Sequence, residues 1–254
     1  LSATEEQTLP ITALITIASD YAQLCEHVAD RISALVQAKP NAVLGLATGS
    51  TPLGVYQRLV RRFQNGEINF SDVTCFNLDE YYPLPSGSPH SYHAFMQANL
   101  FQHIDCRRWF VPDGRAGSSQ QIAQSCREYE AQITEAGGID LQLLGIGRTG
   151  HIGFNEPGSP PDSRTRLVSL ASQTREDAAE SFGGLTHVPH QAVSMGIGTI
   201  LEARKIILMA SGTAKAEIVQ AAWVGSVTER LPASWVRTHP NACLYLDTDA
   251  ASLI

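Results

Sequence analysis

Three short apolar runs in this chain break at once into glycine-bearing turns with hydroxyl side chains. They are AVLGLA before TGST (residues 42–51), IDLQLLGI before GRTG (139–150) and KIILMA before SGT (205–213). A run of that length bounded by turn residues reads as a buried strand. Amphipathic stretches of helical period follow or intervene. After Ser19-Asp20, an N-cap signal, Tyr21, Leu24, Val28, Ile32 and Leu35 recur at helical spacing and stop before Pro40. Pro52 suits a first helical position, with Val55, Tyr56, Leu59, Val60 and Phe63 as the apolar face behind it. Residues 90–104 and 119–136 read as further helices, the second stopped by Gly137-Gly138. Strands are expected also at 11–18, 73–78, 192–197 and 242–246, with a strand or edge at 164–170. Residues 81–89 and 107–118 read as loop, and residues 1–10 as a frayed end. Strands alternating with helices confine the chain to the α/β class, as a doubly wound, mostly parallel sheet with helices on both faces, Rossmann-like. No repeat or linker divides it, so one domain over residues 1–254 is expected.

In such sheets ligands bind beyond the carboxyl ends of the strands. Four chemistry-bearing stretches fall there, each after a different strand. Thr48, Gly49, Ser50 and Thr51 join a strand to a helix N-terminus, where unpaired N–H groups and the helix dipole favour an anion. No Lys follows the glycine and there is no GxGxxG, so neither ATP nor NAD is implied. An ordinary capped βα turn would look the same. Asp79-Glu80 ends the strand at 73–78, where a solvated turn is the plain alternative. The stretch GIGRTGHIGFNEP (145–157) delivers His151 and, five residues on, Glu156; a carboxylate beside an imidazole orients it and favours its charged form. Ser211-Gly212-Thr213 repeats the turn chemistry, and Lys215 sits in the first turn of the next helix, an unfavourable place for a cation unless it meets an anion. The convergence of the four counts for more than any one of them.

Composition narrows the partners. The net charge is −7 and no basic tract is present, which argues against nucleic acid and anionic membranes. With 43% hydrophobic and 17% charged residues the chain is of ordinary soluble globular type, with no apolar run long enough to span a bilayer and no signal pattern; a cytoplasmic location is expected. Five scattered cysteines without a CxxC pair read as reduced thiols. His90 and His93 lack a companion ligand pair and read as surface residues, so no metal site is expected.

A phosphate cradle, a carboxylate base and a His–carboxylate pair suit proton transfer on a phosphorylated sugar. The residues alone do not separate isomerase, lactonase and deaminase. At LGLATGSTPLGVY, FNLDEYYPLP, SYHAFMQANLF, LLGIGRTGHIGFNEPGS, SRTR and SGTAKA with the following LPAS, however, the chain resembles the glucosamine-6-phosphate deaminase family over nearly its full length. The resemblance implies conversion of glucosamine 6-phosphate and water to fructose 6-phosphate and ammonia. It implies Asp79 as the base moving a proton between C2 and C1, His151 as the ring-opening group tuned by Glu156, and the phosphate on Gly49 to Thr51 and Lys215. Neither step requires a metal or an organic cofactor, and the implied partner is a small sugar phosphate.

The chain departs from the family pattern in places. Thr149 stands where longer members carry an Asp two residues before the histidine. Ser159 and Arg166 match parts of the longer members' allosteric site, but Val168 replaces a lysine; a monomer or small homo-oligomer is expected rather than a regulated hexamer. AESF (179–182) occupies the place of a segment that holds a phosphate-binding arginine in the family. Glu180 is therefore expected to face solvent, and Arg175, within the candidate lid 173–184, to reach toward the phosphate. A 6-phosphogluconolactonase-type hydrolase and a non-catalytic sugar-phosphate sensor are the alternatives.

Overall fold

The computed structural model describes residues 14–115 and 117–254; the expected fraying of residues 1–10 and the start of the strand at 11–18 lie outside them. In chain order the elements are β1 (Leu14–Ala18), α1 (Tyr21–Ala38), β2 (Val43–Leu46), α2 (Ser50–Gln64), β3 (Thr74–Asn77), β4 (Asp79–Tyr82), α3 (Tyr92–Met96), β5 (Arg108–Phe110), α4 (Ser119–Glu135), β6 (Leu141–Leu144), β7 (Arg166–Ser169), α5 (Ser172–Ala178), β8 (Gln191–Ser194), α6 (Ile197–Leu201), β9 (Ile206–Ala210), α7 (Ala216–Val224) and β10 (Ala242–Asp247).

Seven strands form one wholly parallel sheet in the order β1-β10-β9-β6-β2-β3-β5. Period-2 alternation assigns their side chains to two cores. On β9, Ile207 and Met209 join Leu44, Leu46 and the inner faces of α1 and α2. Ile206, Leu208 and Ala210 join Val43, Leu144 and residues of α4, α6 and α7 on the other face. From β2 the chain runs outward through β3 to β5, then returns to place β6 on the far side of β2. The order reverses between β2 and β6, and the cleft opens there.

Several expectations need correction. Residues 81–89 do not begin as loop: Tyr81 and Tyr82 belong to β4, which pairs antiparallel with β8, and β8 pairs with β7 in a separate three-stranded sheet. The polar DEYY lacks the apolar alternation of a strand because its side chains serve the site and a third aromatic cluster. Residues 107–118 are not wholly irregular: β5 is a three-residue edge beside β3, too short to show a period. The helix expected over 90–104 is one turn of α-helix, α3, followed by a π-helical turn at Gln97–Phe101. The helix after β2 begins at Ser50, so Pro52 is its third residue, still within the turn that needs no N–H from it. Asp20 caps α1 as read, its side chain accepting from Gln23 N at 2.8 Å. No helix among the described residues is long and apolar enough to cross a membrane. All five cysteines are buried free thiols.

Candidate active site

Four neighbouring strands, β9, β6, β2 and β3, carry the four stretches at their carboxyl ends. Thr48, Gly49, Ser50, Thr51, Asp79, Gly145, Gly147, His151, Phe154 and Tyr92 line one cleft of about 180 Å³. Glu156 and Lys215 do not line it; each stands behind a residue or loop that does.

The turn after β2 leaves a helix N-terminus open at the cleft. Gly49 is the N-cap of α2 with φ 103°, a conformation that favours glycine, and no side chain caps the helix. The first-turn N–H groups therefore stay open toward the cleft.

Asp79 and Glu80 are both buried, at 4% and 3% exposure, so the solvated-turn alternative fails. As successive strand residues they point to opposite faces. Glu80 is structural: Oε1 accepts from Tyr81 N (2.9 Å) and Tyr92 N (2.8 Å), and Oε2 from His93 N (2.9 Å), which ties β4 to the start of α3. Asp79 Oδ1 has no hydrogen-bond partner among the described residues. Burial, with Glu80 adding to it, pushes the Asp79 carboxyl well above its usual range. An ideal Cβ on Gly153 would lie 3.4 Å from Asp79 Oδ2, and Gly153 has φ +56°, so this loop glycine lets the backbone pass close to the carboxylate.

His151 sits in a tight turn. Gly147 N donates to His151 O, and Gly150 N to Gly147 O, both at 3.0 Å. A Cβ on Gly147 would fall 2.1 Å from the imidazole, so the ring packs directly on that glycine. Asn155, fully buried, donates to Ile152 O (2.9 Å) and Met195 O (2.8 Å) and accepts from Arg166 Nη1 (2.9 Å), which fastens the loop to the second sheet. Glu156 Oε2 lies 3.4 Å from His151 Nδ1. Its other oxygen accepts from Thr174 Oγ1 (2.5 Å) and Ala171 N (3.2 Å). Burial opposes ionisation of Glu156, but the bonds and charge of His151, with Thr174 and Ala171, pull its pKa down to about 2. The lowered folded value stabilises the protein above the unfolded value of 4.5, and that stability is lost as pH falls toward about 2. Glu156→Gln is therefore expected to flatten the loss of stability over that acid interval. Urea unfolding midpoints across it would show this; parallel curves for variant and parent would refute it.

Lys215 Nζ donates to Ile146 O at 2.8 Å, on the loop that carries His151. Burial lowers its pKa; Asp177 opposes that and Arg148 adds to it. The turn before it is pinned by Asp247, which accepts from Ser211 Oγ, from Gly212 N at 3.0 Å and from Ala250 N at 2.8 Å. Two expectations about the segment after β7 part company. Glu180 is exposed, as expected. Arg175 does not reach toward the cleft: its guanidinium donates to Leu185 O and Val188 O, both at 3.1 Å, and so braces the chain that follows α5. Phe182 anchors that segment in the aromatic cluster with Tyr81 and Phe154. His90 and His93 are exposed and pack on Phe182 and Trp109, with ring centroids 4.9 and 4.6 Å apart.

The sequence reading missed two contributors, and noted a third, Thr149, only as a departure from the family pattern. Tyr92, read as part of a helical apolar face, lines the cleft. Thr174 binds the Glu156 carboxylate, and Thr149 lies between that carboxylate and His151. A single hydroxyl such as that of Thr174, on the short helix α5, carries no periodic signal; Thr149 drew notice by its place two residues before His151, but not its bridging of the pair.

A cleft that joins an uncapped helix N-terminus, a buried carboxylate and an oriented imidazole at a switch point is the arrangement of an α/β-class enzyme that moves protons on a small ligand. Residues 18–245 match the sequence model of the family described as glucosamine-6-phosphate isomerases/6-phosphogluconolactonase, and the chain belongs to that family. Within it, a glucosamine-6-phosphate deaminase of Halothermothrix orenii is 46% identical over 242 residues, 94% of this chain and 99% of that protein. One of Hahella chejuensis is 50% identical over 226 residues, 88% of this chain and 85% of that protein. A solved monomeric glucosamine-6-phosphate deaminase is 43% identical with a TM-score of 0.91, covering 95% of this chain and all (100%) of that one. The 6-phosphogluconolactonase of Trypanosoma brucei aligns with a TM-score of 0.77 at 20% identity, covering 95% of this chain and 98% of that one, a likeness of fold.

Proposed function

We propose that this chain converts glucosamine 6-phosphate and water to fructose 6-phosphate and ammonia. The observation that carries it is the meeting, in one cleft, of Asp79, His151 and the uncapped N-terminus of α2. The phosphate sits at residues 49–51, with Lys215 as its cationic partner. His151 exchanges the proton that opens the sugar ring. Asp79 then takes the proton from C2 and returns it to C1, a shift that one carboxylate serves because the two carbons are neighbours. The imine so formed adds water and loses ammonia. Burial makes Asp79 a stronger base than an exposed aspartate, and a substrate ammonium at C2 brings the positive charge that favours its ionised form. The solved relative at 43% identity is monomeric, in keeping with a monomer or small homo-oligomer here.

Ammonia and fructose 6-phosphate release from glucosamine 6-phosphate, at about 10 mM to exceed ordinary KM values, tests this directly. No turnover by folded protein would overturn it, and hydrolysis of 6-phosphogluconolactone in its place would favour the lactonase.

A further inference from the structure

Thr149 occupies the gap between the two members of the His–carboxylate pair. Its Oγ1 is 2.8 Å from His151 Nδ1 and 3.0 Å from Glu156 Oε2, against 3.4 Å for the direct separation of those two atoms. We propose that the Thr149 hydroxyl is a positioning residue that holds His151 in one tautomer, with the proton on Nδ1 and an unprotonated Nε2 on the opposite edge of the ring.

The protons of this cluster can be assigned from Glu156 outward. Glu156 is ionised over the neutral range and can only accept. Its Oε1 takes the Thr174 proton and the Ala171 N–H. Its Oε2 needs a donor, and Thr149 Oγ1 is the nearer one. A hydroxyl has one proton. Once Thr149 gives it to Glu156, its oxygen can only accept from Nδ1, so Nδ1 must carry a proton. The opposite arrangement, with Thr149 donating to Nδ1, would set Oε2 against the lone pairs of both neighbours. Thr174 Oγ1, 3.5 Å from Nδ1, has already committed its proton to Oε1 and reinforces the same order.

The backbone holds Thr149 in place for this. It lies in the turn closed by Gly150 N to Gly147 O at 3.0 Å, and Gly150 O accepts from Ala233 N at 2.9 Å, which fixes the turn to the chain after α7. Gly150 adopts φ +79°, so the tight turn that presents Thr149 depends on glycine. The result is a relay, carboxylate to hydroxyl to imidazole, in which the donor side of His151 is spoken for in both its neutral and its charged form. Only Nε2 is left to exchange a proton, and it has no protein partner among the described residues. Asp79 from β4 and Tyr92 from α3 share the cleft with His151, while Lys215 is bonded to Ile146 O and Asp177 of α5 is held by Arg148 at 2.9 Å. None of them is hydrogen-bonded to the ring.

The kinetic arm of the test rests on the proposed role of His151; the spectroscopic arm does not. With imidazole 15N-labelled protein, and His151 assigned by comparison with His151→Gln, the ligand-free parent should show the neutral ring protonated at Nδ1. Thr149→Val keeps the shape and removes the hydroxyl, and should shift that signature toward a mixture of tautomers. Its kcat/KM should fall about tenfold, the scale of one neutral hydrogen bond, mainly through kcat, with the acid limb of its pH profile displaced. Thr149→Ser should restore the signature and come within about twofold of the parent in rate. Thr149→Ala serves if the valine variant misfolds. A parent ring protonated at Nε2, a valine variant with an unchanged signature, or a serine variant as impaired as the valine one would overturn the proposal. A correct tautomer signature in a protein that releases no ammonia would leave the relay standing and remove the functional reading.

Discussion

Asp79→Asn is expected to lower kcat by about 10²- to 10⁴-fold and, in the same protein, to raise thermal stability at neutral pH. The first effect follows from loss of the base. Asparagine keeps the shape and cannot take a proton from C2. The second follows from burial. The folded-state pKa of Asp79 lies well above 3.8, its unfolded value, so the native state holds its proton where the unfolded state has lost it. Stability therefore falls as pH rises from about 3.8 toward the folded value, by linkage. Asparagine does not titrate, so the melting temperatures of variant and parent should diverge in favour of the variant as pH is raised from 4 to 7, the lower end set by that unfolded value. Retention of more than about a tenth of the parental kcat would place the base elsewhere. A variant no more stable than the parent at pH 7 would show that the carboxylate is better solvated or paired than its unpartnered Oδ1 implies.

Lys215→Ala should lower kcat/KM by about ten- to over a hundredfold, the range for a hydrogen bond to a charged group. The cradle at residues 49–51 offers backbone N–H groups and hydroxyls but no charge of its own. With Arg175 engaged by Leu185 O and Val188 O, and Glu180 in solvent, the family's usual second cation has no replacement from that segment. On the proposed reading Lys215 then carries a larger share of the phosphate's charge. Its removal should also weaken competitive inhibition by inorganic phosphate, because the loss belongs to the anion and not to the sugar. Near-normal kcat/KM, or a rate loss with phosphate inhibition unchanged, would mean that the amine serves chiefly to hold Ile146 O and the His151 loop.

The inner strands of the parallel sheet were legible because they are buried on both faces and so read as unbroken apolar runs, as IILMA does in β9, while the three-residue edge β5 was not. The same runs placed Asp79, His151 and the TGST turn at neighbouring strand ends without any knowledge of strand order. In the second sheet β7 and β8 were legible as strands, at 164–170 and 192–197, but β4 and the pairing of the three into a separate sheet were not. Its strands DEYY, RLVS and QAVS mix polar and apolar residues because one of them carries the site, another is an edge, and the sheet packs partly on aromatic side chains. The contacts of Arg175 and Thr149 were also out of reach. Each depends on how segments apart in sequence fold back on one another, and a long polar side chain such as Arg175, on α5, can serve a backbone carbonyl as well as an anion.

Asp79 stands where the chain leaves one sheet for the other. Leu78 N still donates to Leu46 O in the parallel sheet, Leu78 O accepts from Met195 N, and Asp79 itself is registered against Ser194. Asp79 is thus set in position by a pairing that spans residues 79 to 194, and the cleft around it draws on turns from residue 48 to residue 215. Closing spans of that length is slow compared with forming local helices. A growing chain can complete β2, α2 and β3 early and still hold no organised active site, since the strand that orders Asp79 and the turn that carries Lys215 are made late. Activity in this molecule is a report on the whole fold, and an amino-terminal fragment, however well structured, would be silent.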